Sequence, residues 1–173
     1  SDTAEIGFED VRVPARYLLG EENAGFKGVM SNFNLERLGI AATLVGASRC
    51  AYEETVRYAH QRHAFGKALA EHQVVRHKLV DMRVGLEAMQ AMTDNLIWRV
   101  DQGETCIAEI AMLKAFAGET HERIAASAAQ VFGGAGMIRG HKVERIFRES
   151  KILNIGGGSS EVMKDLASRQ LGW

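Results

Sequence analysis

Four short segments carry side chains, or bare backbone, suited to holding a flat, phosphate-bearing group. They are Asn34-Leu-Glu36-Arg37, Arg62-His-Ala-Phe65-Gly66, Gln130-Val-Phe-Gly133-Gly134 and Gly156-Gly-Gly158-Ser159-Ser-Glu161. Arginine can grip a diphosphate with two parallel hydrogen bonds, and a phenylalanine beside it can cover an aromatic ring system. The amides of Gln73 and Gln130 suit nucleotide edges or a ribose. The Gly133-Gly134 pair lets backbone approach a ligand closely. A glycine run before a helix offers free N–H groups at a positive dipole end. Glu36 and Glu161 are the carboxylates of these segments, and a carboxylate can act as a general base. Singly, each feature has an ordinary alternative: a surface arginine, a solvated glutamine, a helix stop. Their weight comes from occurring together in one chain.

Several other chemistries fail on the residues. His60 and His63 are three apart, but no cysteine or carboxylate pattern completes a metal site. Glu119-Thr-His121-Glu122 lacks the second histidine of a zinc-protease helix, because position 125 is alanine. Gly134-Ala-Gly136-Met-Ile-Arg139 lacks a third glycine and follows a helix, which rules out a Rossmann turn. Cys50 and Cys106 form no CxxC and read as reduced, mostly buried thiols of an intracellular protein. The methionines fall on helical stripes as core filler.

The elements that must position the four segments are long helices. Pro14 is the only proline of 173 residues, and proline-free stretches suit uninterrupted helix. A first helix is expected from Ala24 to about Arg62, with Phe26, Met30, Phe33, Ile40, Leu44 and Ala47 at helical spacing. Gly39 and Gly46 inside it each cost about 1 kcal/mol relative to alanine, which close packing against another helix would explain. A loop covers His63 to Ala70. A second helix runs from about Glu71 to Val100, with a seam at Val75, Leu79, Met82, Leu86 and Met89. A third begins near Thr105, carries Ile110, Leu113, Ala117, Ile124, Ala128 and Val131 on one face, and stops at Gly133. A short helix follows over Glu144 to Leu153. Ser159 or Ser160 caps a last one to about Gln170. The sum is an all-α fold, an antiparallel four-helix bundle with a short extra C-terminal helix. Ahead of it, Ile6 to Pro14 alternates apolar and polar in part, so a short strand is expected there, then a linker. The division is residues 1–23, the end of a β domain with linker, and residues 24–173, the helical domain.

A hydrophobic content of 46% and a charged content of 25% are ordinary for one globular domain. The formal net charge of −1 gives no electrostatic reason for a nucleic-acid or anionic-membrane partner. No apolar run is long enough to span a bilayer.

At this point the residues resemble the C-terminal domain of the acyl-CoA dehydrogenases, over nearly the whole chain. Phe8-Glu-Asp-Val-Arg-Val-Pro14 and Leu19-Gly20-Glu-Glu look like the family's last middle-domain strand and linker. Arg62-x-x-Phe65-Gly66 with Gln73, and Gln130-Val-Phe-Gly133-Gly134, look like its flavin-binding motifs. Val143-Glu-Arg145-x-x-Arg148-Glu149 and the turn from Gly156 to Glu161 look like its C-terminal signature. The resemblance implies bound FAD, an acyl-CoA thioester oxidised to the trans-2-enoyl-CoA, and electrons passed to an electron-transferring flavoprotein. It implies a homotetramer, a dimer of dimers, in the cytoplasm of a bacterium or the mitochondrial matrix of a eukaryote. Arg62, Phe65, Gln73, Gln130, Gly133 and Gly134 would then face a neighbouring subunit's FAD, and Ser159 and Glu161 the subunit's own.

One position departs from the commonest family pattern. The usual catalytic glutamate precedes the last turn's glycine-threonine, and that position is Gly157 here. Isovaleryl-CoA and long-chain members draw the base from the first bundle helix instead, where this chain has Glu36. The resemblance therefore makes Glu36 the base. Gly157 keeps its N–H for the thioester carbonyl, Arg37 sets the charge and position of the site, and Phe33 and Asn34 contact the CoA arm. A glutamate restored at Gly157 is expected to substitute in part for Glu36. Because the middle β domain would shield the flavin, the domain by itself is expected to be inactive. The competing readings are a flavin monooxygenase or oxidase relative on the same fold, and a non-catalytic helical assembly domain.

Overall fold

A computed structural model describes residues 4–173 of the chain. Five helices carry the fold: α1 (Gly25–Gln61), α2 (Gln73–Asp101), α3 (Ile107–Phe132), α4 (Lys142–Ile155) and α5 (Ser160–Gln170). Between α1 and α2 sits a two-stranded hairpin, β1 (His63–Ala64) and β2 (Lys67–Ala68), paired antiparallel. The all-α expectation and all five helices are present, with ends within two residues of those read from the sequence.

Helix α3 is the centre. Buried residues occur on every side of it, from Ala108 through Phe132, so it must be wrapped on all sides. Helices α1, α2, α4 and α5 all pack on it. The seam of α2 closes against it through Met82, Leu86, Met89 and Leu96. Helix α5 seats Met163 and Ala167 on Ala111 and Ala115. Two glycines within helices permit close approach between helices. A Cβ on Gly85 would meet Thr120 Cγ2 at 2.8 Å, and one on Gly118 would meet the Asn154 side chain.

Ends are fixed by specific contacts. Tyr58 stacks on Phe132 with ring centroids 4.1 Å apart, joining the C-terminal ends of α1 and α3. Arg99 pairs with Glu104 and Glu109 across the α2–α3 turn. Glu54 of α1 takes Lys142 of α4 at 2.8 Å. Ser159 caps α5, accepting the Val162 N–H at 3.5 Å.

Three expectations are corrected. Residues 4–14 form no strand; Ile6, Phe8, Val11 and Val13 are exposed and a short helical turn follows at Ala15–Tyr17. A strand needs a partner for its backbone groups, and none of the described residues offers one. Gly39 and Gly46 meet no other helix: a Cβ on either would find nothing within 4 Å. The buried stripe of α1 is Leu38, Ala41, Leu44, Val45, Ser48, Ala51, Thr55 and Ala59. Phe26 and Met30 lie off it and are exposed, because the first turns of α1 project past the bundle.

The core holds a buried imidazole. His121 is buried, with Nδ1 2.8 Å from the buried Ser48 hydroxyl. Burial holds the His121 imidazole below its ordinary value, against an opposing pull from Glu122. The folded state therefore resists a proton that the unfolded chain takes up below about pH 6.5. Stability is expected to fall as pH drops through that value, and His121→Gln should remove part of the fall. Denaturation midpoints at pH 7.5 and 5.5 check this; an identical pH response in His121→Gln rules it out.

Candidate functional site

The structure gathers the sequence-derived residues into two clusters at opposite ends of the bundle. From position 36 to position 62, α1 rises roughly 39 Å at about 1.5 Å per residue.

The first cluster surrounds the C-terminal end of α1. Arg62 is its C-cap; the Arg62 N–H donates to the Tyr58 carbonyl at 2.8 Å and the Leu69 N–H donates back to the Arg62 carbonyl at 2.8 Å. The guanidinium is left exposed. Phe65 occupies the hairpin tip in the left-handed region, φ 52°, with its ring 98% exposed. An apolar ring held in solvent by a strained backbone is poor packing for the domain by itself. His72, which the sequence reading passed over, braces the hairpin: its Nε2 lies 3.1 Å from the Ala64 carbonyl and its ring meets Phe65 edge-on. Gln73 opens α2, exposed, with only a 3.5 Å contact to His77. The Tyr58–Phe132 stack brings in the end of α3, where Gln130, Gly133 and Gly134 are exposed and open space lies above both glycines. An exposed guanidinium, an exposed ring, two exposed amides and bare backbone form a set that fits a flat, diphosphate-bearing cofactor.

The second cluster joins the start of α1 to the turn between α4 and α5. Arg37 Nε donates to the Gly157 carbonyl at 3.0 Å, so segments 120 residues apart in sequence meet. Arg37 also lies over the Phe33 ring, 5.6 Å from its centroid. Burial pushes the Arg37 guanidinium below its ordinary value, and neighbouring Glu36 pulls it back up. Glu36 itself is exposed beside this contact. Asn34 donates to the Thr105 carbonyl at 2.9 Å, and its buried Oδ1 has no partner among the described residues. Glu161, at the first turn of α5, is held below the usual carboxylate range by the Ser159 hydroxyl and then by a backbone N–H. Such a carboxylate prefers to stay ionised and is a weak proton acceptor.

Sequence reasoning missed the group that supports this turn. Lys114 is fully buried and donates to the Asn154 carbonyl at 2.6 Å and to the Gly158 carbonyl. The Asn154 side chain is locked in turn, accepting from the Ser160 hydroxyl at 2.8 Å and donating to Glu122. A signal was available: Lys114 is the lone charge in the run from Ile110 to Gly118.

Gly157 is not an open position. Its φ is +71°, and a Cβ there would meet Ile40 Cδ1 at 2.7 Å. A glutamate at 157 thus meets both backbone strain and Ile40, which counts against its substituting for Glu36. Gly157→Ala should cost about 1–2 kcal/mol from the left-handed backbone, with the Ile40 contact adding to it. Ile40→Val removes the colliding atom, so a double-mutant cycle by denaturant unfolding should give favourable coupling between the two changes. A Gly157→Ala protein as stable as the parent would contradict this geometry.

Residues 23–172 match the family model described as acyl-CoA dehydrogenase, C-terminal domain. A probable acyl-CoA dehydrogenase of Bacillus subtilis, YngJ, is 37% identical over 171 residues, covering 99% of this chain and 45% of that protein. The long-chain specific acyl-CoA dehydrogenase of Sus scrofa mitochondria is 38% identical over 170 residues, covering 98% of this chain and 40% of its own length. A solved structure described as PigA with FAD and proline superposes with a TM-score of 0.90 at 30% identity, over 95% of this chain and 43% of that one. The chain thus spans less than half the length of the relatives it matches.

Proposed function

The chain belongs to the acyl-CoA dehydrogenase family, and from that premise we propose that it is the C-terminal domain of an FAD-dependent enzyme that oxidises an acyl-CoA thioester to the trans-2-enoyl-CoA. In this reading residues 1–23 are the end of a middle β domain with its linker, and residues 24–173 are the FAD-binding bundle. The observation that carries the proposal is the Arg37–Gly157 hydrogen bond. It sets the helix turn bearing Glu36 beside a glycine turn whose Gly157 N–H makes no hydrogen bond among the described residues.

The chemistry follows from those two groups. The α-hydrogen of a thioester is weakly acidic, so its removal needs a positioned base and a donor to the carbonyl oxygen as negative charge gathers there. Glu36 takes the α-proton. The Gly157 N–H donates to the carbonyl oxygen. Arg37, tied to the turn, keeps the two in register, and its positive charge stabilises the negative charge that gathers at the site. Phe33 and Asn34 border the path of the CoA arm; the unpartnered Asn34 Oδ1 is an acceptor in search of a donor. FAD, when bound, supplies the acceptor for the β-hydrogen and its electron pair. In this reading Ser159 and Glu161 face the cofactor, as the family resemblance implies, and Glu36 is the base.

Arg62, Phe65, Gln73, Gln130, Gly133 and Gly134 would hold the diphosphate and nucleotide side of FAD. One chain presents its two clusters too far apart for a single dinucleotide to touch both. A shared cofactor across a subunit boundary reconciles them and supports a dimer of dimers. The exposed α2 side chains Val74, Val80, Val84, Ile97 and Trp98 supply apolar surface for such contacts. An electron-transferring flavoprotein is the proposed oxidant of the reduced enzyme. Among the described residues no helix is long and apolar enough to cross a membrane.

In the full-length protein, Glu36→Gln should retain FAD and bind acyl-CoA, while anaerobic flavin bleaching slows by about 10²–10⁴-fold, the usual range for a lost general base. Bleaching at the parent rate would put the base elsewhere. Arg62→Ala should lose FAD on dilution with helicity unchanged, read by flavin absorbance against circular dichroism. Full flavin retention in that variant would remove Arg62 from the cofactor site.

A further inference from the structure

We infer that Lys114 is a positioning residue for the Gly156–Gly158 turn: its buried ammonium gathers the Asn154 and Gly158 carbonyls and thereby fixes the direction in which the Gly157 N–H points. The inference rests on the reading above, in which that N–H faces the thioester carbonyl.

Lysine is among the residues least often fully buried, because an ammonium in a dry interior must be fully compensated. Lys114 has no exposed surface, and no carboxylate lies within ion-pair distance of it among the described residues. Its compensation is carbonyl oxygen: Asn154 at 2.6 Å and Gly158. Asn154 lies in the last turn of α4, where unpaired carbonyls concentrate negative partial charge and favour a cation. Burial, and after it the nearby charge of Arg37, pushes the ammonium below its ordinary value. Two cations therefore converge on one short turn.

The turn needs them. Three consecutive glycines hold no conformation by themselves, yet nearly every peptide unit here is tied. The Gly156 N–H donates to the Ile152 carbonyl at 2.8 Å, and the Gly158 N–H donates to the Ile155 carbonyl at 3.2 Å. The Gly157 carbonyl accepts from Arg37, and the Gly158 carbonyl from Lys114. The exception is the unit joining Gly156 to Gly157: neither its carbonyl nor its N–H is bonded among the described residues. A planar unit bracketed by anchored neighbours has its orientation set by them. Its N–H is a donor aimed in advance and left free, as stabilisation of developing charge requires. Gly118 belongs to the same device, since any side chain there would strike Asn154.

The test uses the full-length flavoprotein, with Lys114→Met, Lys114→Arg and, as control, Lys164→Met, which removes an exposed pair with Glu119. Butyryl-CoA and palmitoyl-CoA are the probes. In Lys114→Met, amide exchange of the peptide covering residues 156–160 should rise about tenfold. The maximal rate of flavin bleaching should fall about 10²-fold, as for a lost oxyanion donor, with acyl-CoA binding changed less than about threefold. Lys114→Arg, which keeps the cation, should recover part of both, and Lys164→Met should change neither. A loss expressed only in binding, or either readout moving alone, overturns the proposal. If Lys114→Met does not fold, the parent decides: a Gly158 amide exchanging at the unprotected rate means the turn is not clamped. If the parent is bleached by neither probe nor by isovaleryl-CoA, the dehydrogenase reading fails, and amide exchange still tests the clamp by itself.

Discussion

A helix buried on all sides forces the rest of this architecture. Helix α3 cannot be solvated, so four other helices must cover it. Its alanines and Gly118 keep its surface low and let those helices come close. Once α1 and α4 are packed on the same core helix, the start of one and the end of the other become neighbours. The meeting of Arg37 with Gly157 is a consequence of that packing, and of no local preference in either segment.

The same packing separates the residues proposed to hold the cofactor from those proposed to act on the substrate. The Tyr58–Phe132 stack closes one end of the bundle, where Arg62, Phe65, Gln73, Gln130 and the glycine pair face outward. At the other end Arg37, next to Glu36 in the chain, is bonded to the glycine turn, whose Gly157 N–H has no partner among the described residues. A long straight helix is a rigid spacer, so the distance between the clusters is fixed by the length of α1. A cofactor that needs both kinds of contact must then be shared between chains, which ties the proposed chemistry to the proposed assembly.

Charge inside the bundle is handled by carbonyl dipoles and short ion pairs. Lys114 is compensated by backbone oxygen; burial pushes the Glu122 carboxyl up, but Lys151 and Asn154, with a smaller pull from His121, together draw it below the usual carboxylate range. Asn154 touches Glu122, Ser160 and, through its carbonyl, Lys114. One residue therefore couples α3, α4 and α5 at the end where the turn must be held still.

The sequence alone determined the helices, because hydrophobic spacing, the absence of proline and the glycine stops are local signals. It also determined the family, since four motifs in one order are a property of the string of residues. It read α1 less well. Phe26 and Met30 keep the helical spacing yet lie outside the bundle, and Gly39 and Gly46 face no helix of this chain. The alternation of Ile6 to Val13 spelled a strand, but a strand exists only where a partner supplies its hydrogen bonds. Only the tertiary structure showed why glycine suits position 157, because the reason is its own positive φ together with the end of the Ile40 side chain on α1. Only the tertiary structure placed Lys114 under the turn, because a buried cation is defined by its surroundings, and those are carbonyls 40 and 44 residues away in the chain.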